Sequence, residues 1–252
     1  DRSGRIMGTL MIGRICFAAM VFIGVVTAPV RAEQSGEPPV VVELYTSQGC
    51  SSCPPADAFL AVLAARDDVI ALGFHVDYWD YIGWKDVFAS PTYSARQKAY
   101  AKAAGRRSIY TPQMIIGGEV DVVGNHPMDV TDQIDLMRDR PVRVKLMLQR
   151  GSGDAVIIAA EAVSKAAQAE IAAPLLVQVI RYKPEAHVEI TRGENEGHRL
   201  AYTNIVTKWD VLGEWQPTEP FKAQIAAPGD EPVVVLIQQK GPGRIEASAQ
   251  LR

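Results

Sequence analysis

Two cysteines, Cys50 and Cys53, constrain the fold of this chain more than any other feature of its sequence. They are spaced as Cys-Ser-Ser-Cys and follow Pro39–Thr46, a β-branched run that is typical of a buried strand. Pro54 and Pro55 come next, and a helix tolerates prolines only in its first turn. Apolar residues at helical spacing then follow. The pattern predicts a cysteine pair at the junction of a strand and a helix.

The first 32 residues have the layout of a secretory signal peptide. Arg5 and Arg14 precede the uncharged apolar run Ile15–Val26, which is shorter than the roughly 20 residues of a membrane-spanning helix. Small residues at Val30 and Ala32 fit cleavage after Ala32. We therefore predict an exported protein that has no stable membrane anchor after cleavage.

Composition excludes two broad classes of protein. With 48% hydrophobic and 22% charged residues, the chain does not resemble a disordered protein. A formal net charge of −3 gives no global basic field, so we expect no nucleic acid partner.

The number of cysteines points to a chemical role for the pair. The third cysteine, Cys16, lies in the predicted signal peptide, so an exported chain keeps only Cys50 and Cys53. An oxidising compartment allows a disulfide between them, but closing so short a loop stabilises a fold little. At a helix N-terminus Cys50 is expected to be the exposed, acidic nucleophile, and Cys53 the buried thiol that resolves a mixed disulfide.

Three other interpretations of the cysteines remain. A structural disulfide beside a binding surface would make the protein a non-catalytic binding module. A Cu(I) site would use both thiolates, with Met114 as a further soft ligand. A zinc site is disfavoured because it needs four ligands and there is no second cysteine pair. For the thiol-exchange interpretation we expect neither a metal nor a cofactor.

A second candidate element is the turn Thr111-Pro112, which follows Tyr110. An X-Pro bond adopts the cis form at small cost in tight turns. Such a turn beside Cys50 would offer an unpaired backbone edge to a bound peptide. The alternative is an ordinary trans proline at the start of a strand.

The remaining pattern predicts an α/β protein in two parts. Helical and strand periodicities give the order β-α-β-α-β-β-α up to Arg138. From Pro141 onward, short apolar runs alternate with Gly, Pro and Asn clusters, which favours an antiparallel β-sandwich. We place the domain boundary between residues 140 and 141, with domains over 33–140 and 141–252.

Two loops carry unusual composition. Asp77–Asp86 is rich in aromatic and acidic residues, and we interpret it as an ordered loop over the sheet or as a ligand groove beside the thiols. Arg192–His198 is a polar, glycine-bearing turn that predicts a hairpin loop with charged tips, a binding role being the alternative.

Long motifs give this chain a family resemblance. Val42–Asp57 (VELYTSQGCSSCPPAD), together with the motif that starts at His75 (HVDYWDYIGWKD) and the later YTPQ, resembles DUF1223, a family of exported bacterial proteins. The order of elements around the cysteines also resembles the thioredoxin fold. The resemblance implies a thioredoxin-like domain over 33–140, but it supplies neither an activity nor a substrate. The cysteine pair at a helix start that faces a Thr-Pro turn leads to the hypothesis of a periplasmic or secreted bacterial thiol–disulfide oxidoreductase that acts on protein thiols or disulfides of exported proteins.

Roles for single residues follow from the same resemblance. It implies Cys50 as nucleophile, Cys53 as resolving thiol and Pro112, after Thr111, as the cis proline. Thioredoxin-like proteins often keep a buried acid near the pair, and Glu43 on the preceding strand is the candidate base toward Cys53. A surface or purely structural glutamate is the alternative. The Ser-Ser dipeptide and the two prolines after Cys53 differ from thioredoxin, so the direction of electron flow stays open.

Overall fold

The computed structural model describes residue 4 and residues 38–172 and 174–252. The predicted signal peptide over 1–32 lies outside the described residues, apart from Gly4. None of the helices in the described part of the chain has the length and apolar character needed to cross a bilayer.

The first half confirms the predicted order of helices and strands. A 3₁₀ turn over Asp80–Ile82 lies inside the segment Asp77–Asp86, which we call the aromatic loop. The elements are β1 (Val40–Thr46), α1 (Pro54–Ala64), β2 (Val69–His75), α2 (Pro91–Ala103), β3 (Gln113–Ile116), β4 (Val120–Val123) and α3 (Pro127–Arg138). All three helices begin at a proline, as expected for a residue whose missing N–H costs nothing in the first turn.

The second half is mostly strands, with one short helix that the sequence did not predict. Its elements are β5 (Val144–Arg150), β6 (Ala155–Ala162), α4 (Lys165–Glu170), β7 (Leu175–Glu189), β8 (Arg199–Trp215), β9 (Phe221–Ala226), β10 (Val233–Gln239) and β11 (Ile245–Leu251). Ser164 caps α4, its hydroxyl accepting from the Ala167 N–H at 3.1 Å.

Strands from both halves form one mixed sheet. Its eight strands run in the order β11-β10-β7-β8-β2-β1-β3-β4, and β5-β6-β9 form a separate antiparallel sheet. β1 pairs in parallel with β2 and antiparallel with β3. The halves meet where Gly73 of β2 pairs with Ile205 of β8. A Cβ at Gly73 would lie 3.3 Å from the Thr203 carbonyl oxygen, so this junction depends on a close backbone approach.

The chain is therefore mixed α/β with one large and one smaller sheet. The three-stranded sheet packs on the C-terminal strands of the large sheet through an apolar cluster that includes Leu146, Ile158, Val177 and Val235. Four of the seven strands observed in the second half (β7, β8, β10 and β11) extend the sheet of the first half instead of forming a separate sandwich, because β8 pairs with β2.

One long strand replaces two predicted ones. Pro184 lies inside β7, where the sequence predicts a break between Tyr182 and Ala186. Pairing skips this position, with Lys183 opposite Ile205 and Glu185 opposite Thr203. β10 pairs with β7 only as far as Arg181, so Pro184 lies where β7 pairs with β8 alone among the described strands, and a proline fits such an edge because it has no N–H to donate.

A buried ion pair lies on one face of the large sheet. Arg96 of α2 donates to both carboxylate oxygens of Glu43 on β1, at 2.6 and 3.0 Å. Tyr45 and Tyr100 each donate a further hydrogen bond to this carboxylate, at 2.9 and 3.0 Å. The Arg96 guanidinium also lies 4.7 Å from the ring centre of Trp209 on β8. Every charge in this cluster is thus compensated away from water.

Replacing Glu43 by Gln is expected to destabilise the fold strongly. The variant leaves the Arg96 charge buried without its partner, and breaking a buried pair in this way costs about 3–5 kcal/mol. The free energy of unfolding in urea measures the loss. Asp210→Asn is the matched control, because Asp210 pairs with Lys208 at the exposed surface, where an ion pair contributes about 0–1 kcal/mol. Equal losses in the two variants would contradict the assignment.

Candidate functional site

The two cysteines form a disulfide at the junction of β1 and α1. Their Sγ atoms are 2.13 Å apart and their Cα atoms 5.4 Å apart. The connecting chain, residues 47–53, is called the cysteine loop below. It turns through backbone hydrogen bonds from the Cys50 N–H to the Ser47 carbonyl (3.1 Å) and from the Cys53 N–H to the Cys50 carbonyl (3.2 Å). Cys53 is the N-cap residue of α1.

The start of α1 offers the sulfurs few backbone donors. Pro54 and Pro55 have no N–H, and the next two N–H groups, of Ala56 and Asp57, both donate to the Cys53 carbonyl at 2.9 and 3.1 Å. A helix N-terminus normally favours an anion through such free groups. Here the side chain of Ser52 supplies a polar contact instead, its Oγ lying 3.4 Å from the Cys50 Sγ.

Both cysteines are buried. Cys50 is 2% exposed and Cys53 is fully buried, so the expectation of an exposed Cys50 was wrong. The neighbouring residues Ser51 and Ser52 are exposed, which places the disulfide directly under the surface. The physical reason is that two segments, residues 77–86 and residues 190–198, pack against the cysteine loop.

The Thr111-Pro112 turn lies beside this junction. Its peptide bond is cis, as the sequence predicts. A Cβ at Gly124 would lie 3.1 Å from the Pro112 Cβ and 3.2 Å from the Ala56 Cβ, so the turn faces the first turn of α1. Trp79 links the turn to the cysteine loop: its Nε1 donates to Thr111 Oγ1 at 2.7 Å, and its Cβ would lie 3.3 Å from a Cβ at Gly49.

Glu43 does not reach the cysteines. Alternation along β1 sends Val42 and Leu44 to the face covered by α1, and Glu43 to the face covered by α2. Its carboxylate is occupied by the hydrogen bonds of the Arg96 cluster. The predicted role of Glu43 as a base toward Cys53 therefore has no geometric basis, and the structural alternative describes it better.

A different acid, Asp57, lies one helical turn after Cys53. It follows Cys53 by four residues on α1, so both side chains lie on one face of the helix. Burial raises the pKa of Asp57 to about 7, while nearby His75 and Thr46 act to lower it. Its Oδ2 is buried without a hydrogen-bond partner among the described residues. The sequence signal was available in Cys-Pro-Pro-Ala-Asp, but the prediction looked only at the preceding strand.

A buried cluster of polar side chains is hydrogen-bonded to Gln48 of the cysteine loop. His75 Nδ1 lies 2.7 Å from Asp86 Oδ2, which also accepts from the Gln48 N–H at 2.8 Å. Trp84 Nε1 donates to Gln48 Oε1 at 2.8 Å. The aromatic loop thus packs on the cysteine loop and fixes Gln48, two residues before Cys50. This agrees with the interpretation of the segment as an ordered loop.

The connection between β7 and β8, residues 190–198, reaches the same loop from the far half of the chain and is called the hairpin tip. Asn195 is buried and donates from Nδ2 to the carbonyls of Gln48 (2.9 Å) and Cys50 (3.1 Å). Exposed Glu194 accepts from the Ser51 N–H at 3.3 Å. Sequence reasoning missed both residues because more than 140 residues separate them from the cysteines.

The geometry offers little to a metal. Within the described residues, no group of three or more His, Cys, Asp or Glu side chains is placed to hold an ion. Met114, the further ligand of the Cu(I) alternative, is fully buried and packs in the apolar cluster with Leu44 and Ala56.

Comparison with known proteins identifies the family but not an activity. The model of DUF1223, described as a protein of unknown function, matches residues 41–238. The crystal structure of an Agrobacterium tumefaciens protein is similar, with 30% sequence identity, a TM-score of 0.72, and coverage of 86% of this chain and 96% of that one.

A second solved structure, HBP35 of Porphyromonas gingivalis, shares only the fold. It is 16% identical with a TM-score of 0.53, over 86% of this chain and 76% of that one. The search of curated proteins found no match. From the family model and the Agrobacterium relative we conclude that this chain belongs to the DUF1223 family.

Proposed function

We propose that this protein is an exported thiol–disulfide oxidoreductase that exchanges electrons with cysteines of other exported proteins through Cys50 and Cys53. The observation that carries the proposal is the position of the disulfide. It joins residues three apart at a strand–helix junction, so it ties no distant elements together, and it lies directly beneath exposed Ser51 and Ser52. The order of elements and the adjacent Thr111-Pro112 turn support a thioredoxin-like arrangement of residues 33–140.

The exchange conserves electrons and protons. A partner thiolate attacks Cys50 Sγ, forms a mixed disulfide, and breaks the Cys50–Cys53 bond, so that Cys53 leaves as a thiolate and takes a proton. The second partner thiol loses its proton and displaces Cys50, which leaves the partner with a disulfide and this protein with two thiols. Two electrons move in total, and the reverse sequence reduces a partner disulfide.

Asp57 is the group that exchanges a proton with the Cys53 thiol in this proposal. It lies one helical turn beyond that cysteine in a buried site, and its pKa near 7 allows it to give or take a proton near neutral pH. When Cys53 attacks the mixed disulfide, the Asp57 carboxylate accepts the thiol proton. When Cys53 leaves, protonated Asp57 returns it.

Replacing Cys50 by Ser is expected to abolish exchange. Insulin reduction with dithiothreitol and oxidative refolding of a reduced, scrambled substrate test the two directions. Asp132→Asn, at an exposed position of α3, is the control and should leave both rates unchanged. Equal rates for wild type and Cys50→Ser in both assays would reject the proposal.

Stability measurements distinguish the proposal from a structural disulfide. In the loop-entropy model, a bond that closes so short a loop contributes only about 2 kcal/mol. We expect the double variant Cys50→Ser, Cys53→Ser to lose about that much in unfolding free energy while losing all exchange. A much larger loss of stability, together with a wild-type disulfide that resists glutathione, would favour the binding module.

Replacing Asp57 by Asn is expected to change two pH dependences. The folded-state pKa is raised to about 7 from 3.8, so the folded protein holds a proton that the unfolded chain releases. Stability therefore falls as pH rises from about 4 to about 7, by up to about 4 kcal/mol. Asp57→Asn should remove this fall and be more stable than wild type above pH 7.

The same variant should slow resolution by Cys53. In wild type the rate of mixed-disulfide resolution should rise through a pKa near 7, and in Asp57→Asn this step in the profile should disappear. Stopped-flow measurement on the mixed disulfide with glutathione gives the profile. Asp132→Asn, at an exposed position of α3, is the control. A wild-type profile retained by Asp57→Asn would remove Asp57 from the mechanism.

A further inference from the structure

The hairpin tip places a negative charge against the backbone that surrounds the nucleophilic sulfur. Glu194 is exposed, and its carboxylate accepts from the N–H of Ser51, the residue directly after Cys50. Asn195, the next residue of the tip, anchors it by donating to the carbonyls of Gln48 and Cys50. The Glu194 carboxylate is therefore held at the N–H of Ser51, one residue from Cys50, because its buried neighbour Asn195 anchors the tip.

The charge of Glu194 and the two prolines at the start of α1 both disfavour a thiolate at Cys50. Pro54 and Pro55 provide no N–H, and the Ala56 and Asp57 N–H groups are already bonded to the Cys53 carbonyl. Glu194 occupies a further N–H of the cysteine loop. A thiolate at Cys50 would therefore find fewer free donors than a helix N-terminus usually offers, and a carboxylate already occupies the N–H of the next residue.

We infer that Glu194 is a positioning residue that tunes the redox pair by opposing the thiolate form of Cys50, which stabilises the disulfide over the dithiol. This inference rests on the proposed function, and it assigns the second half of the chain a part in the redox site. It predicts a protein poised toward the reducing end of the range open to such pairs, because a thiolate that is less stabilised makes the reduced state less favourable.

Other charged groups near the pair stay constant in the test. Buried Asp57, His75 and Asp86 lie on the inner side of the cysteine loop. Arg192 and His198 belong to the tip, and within the described residues neither makes a hydrogen bond or ion pair to the cysteine loop.

Glu194→Gln removes the charge and keeps the shape of the side chain. All variants carry Cys16→Ser, so that only the redox pair titrates. Alkylation of the reduced protein by iodoacetamide across pH gives the pKa of Cys50. Equilibration with glutathione, in which two glutathione thiols become one glutathione disulfide as this disulfide becomes a dithiol, gives the redox equilibrium constant at a pH above that pKa.

We expect Glu194→Gln to lower the Cys50 pKa and to shift the equilibrium toward the dithiol by about two- to fivefold, the size of a single exposed charge effect near a helix terminus. Added salt should reduce the difference, because it screens exposed charges. Glu196→Gln is the matched control, since Glu196 is an exposed glutamate of the same tip whose side chain makes no hydrogen bond to the cysteine loop within the described residues.

An unchanged pKa and equilibrium in Glu194→Gln, or equal shifts in Glu196→Gln, would overturn the inference. If wild type catalyses insulin reduction but Glu194→Gln changes neither quantity, the inference fails while the proposed function stands. If wild type catalyses no exchange but the variant still shifts the glutathione equilibrium, the proposed function fails while the effect of Glu194 on the pair stands.

Discussion

The buried pair of Glu43 and Arg96 is the interaction on which the arrangement of the two halves depends. A guanidinium that is removed from water needs its full set of partners, and these come from separate parts of the chain. Arg96 lies on α2 and Glu43 on β1, while Gln178 on β7 and Gln238 on β10 accept from the same guanidinium at 3.1 Å. Only a sheet that is continuous from β1 to β10 brings these partners to one point.

Local structure in the first half could be predicted from the sequence because its signals are local. Prolines mark the helix starts, and β-branched runs mark the strands. The sheet order could not be predicted, because β8 joins β2 through Gly73 and Ile205, a contact set by tertiary packing. The proline in β7 misled the strand prediction for the same reason, since only the sheet order shows that Pro184 lies beyond the part of β7 that pairs with β10.

The residues of the candidate site also fall into two groups: those located by local sequence patterns and those placed by tertiary packing. Cys50, Cys53 and the cis Thr111-Pro112 bond could be located from motif and turn chemistry. Glu43 was a reasonable candidate from its position on β1, but strand alternation and the attraction of Arg96 take it to the other face. Burial of Cys50 could not be foreseen, because the segments that cover it arrive from distant loops.

The aromatic loop and the hairpin tip both contact the cysteine loop, so the surroundings of the cysteine pair come from distant parts of the chain. The aromatic loop fixes Gln48 through Trp84 and Asp86, and the hairpin tip fixes the Gln48 and Cys50 carbonyls through Asn195. Both sets of contacts fix the backbone that leads into Cys50. The two residues between the cysteines are both serine and carry no charge. Under the proposed function, the charged group that the β-rich half brings to the cysteine loop is therefore Glu194, and the sheet shared by the two halves is what places it there.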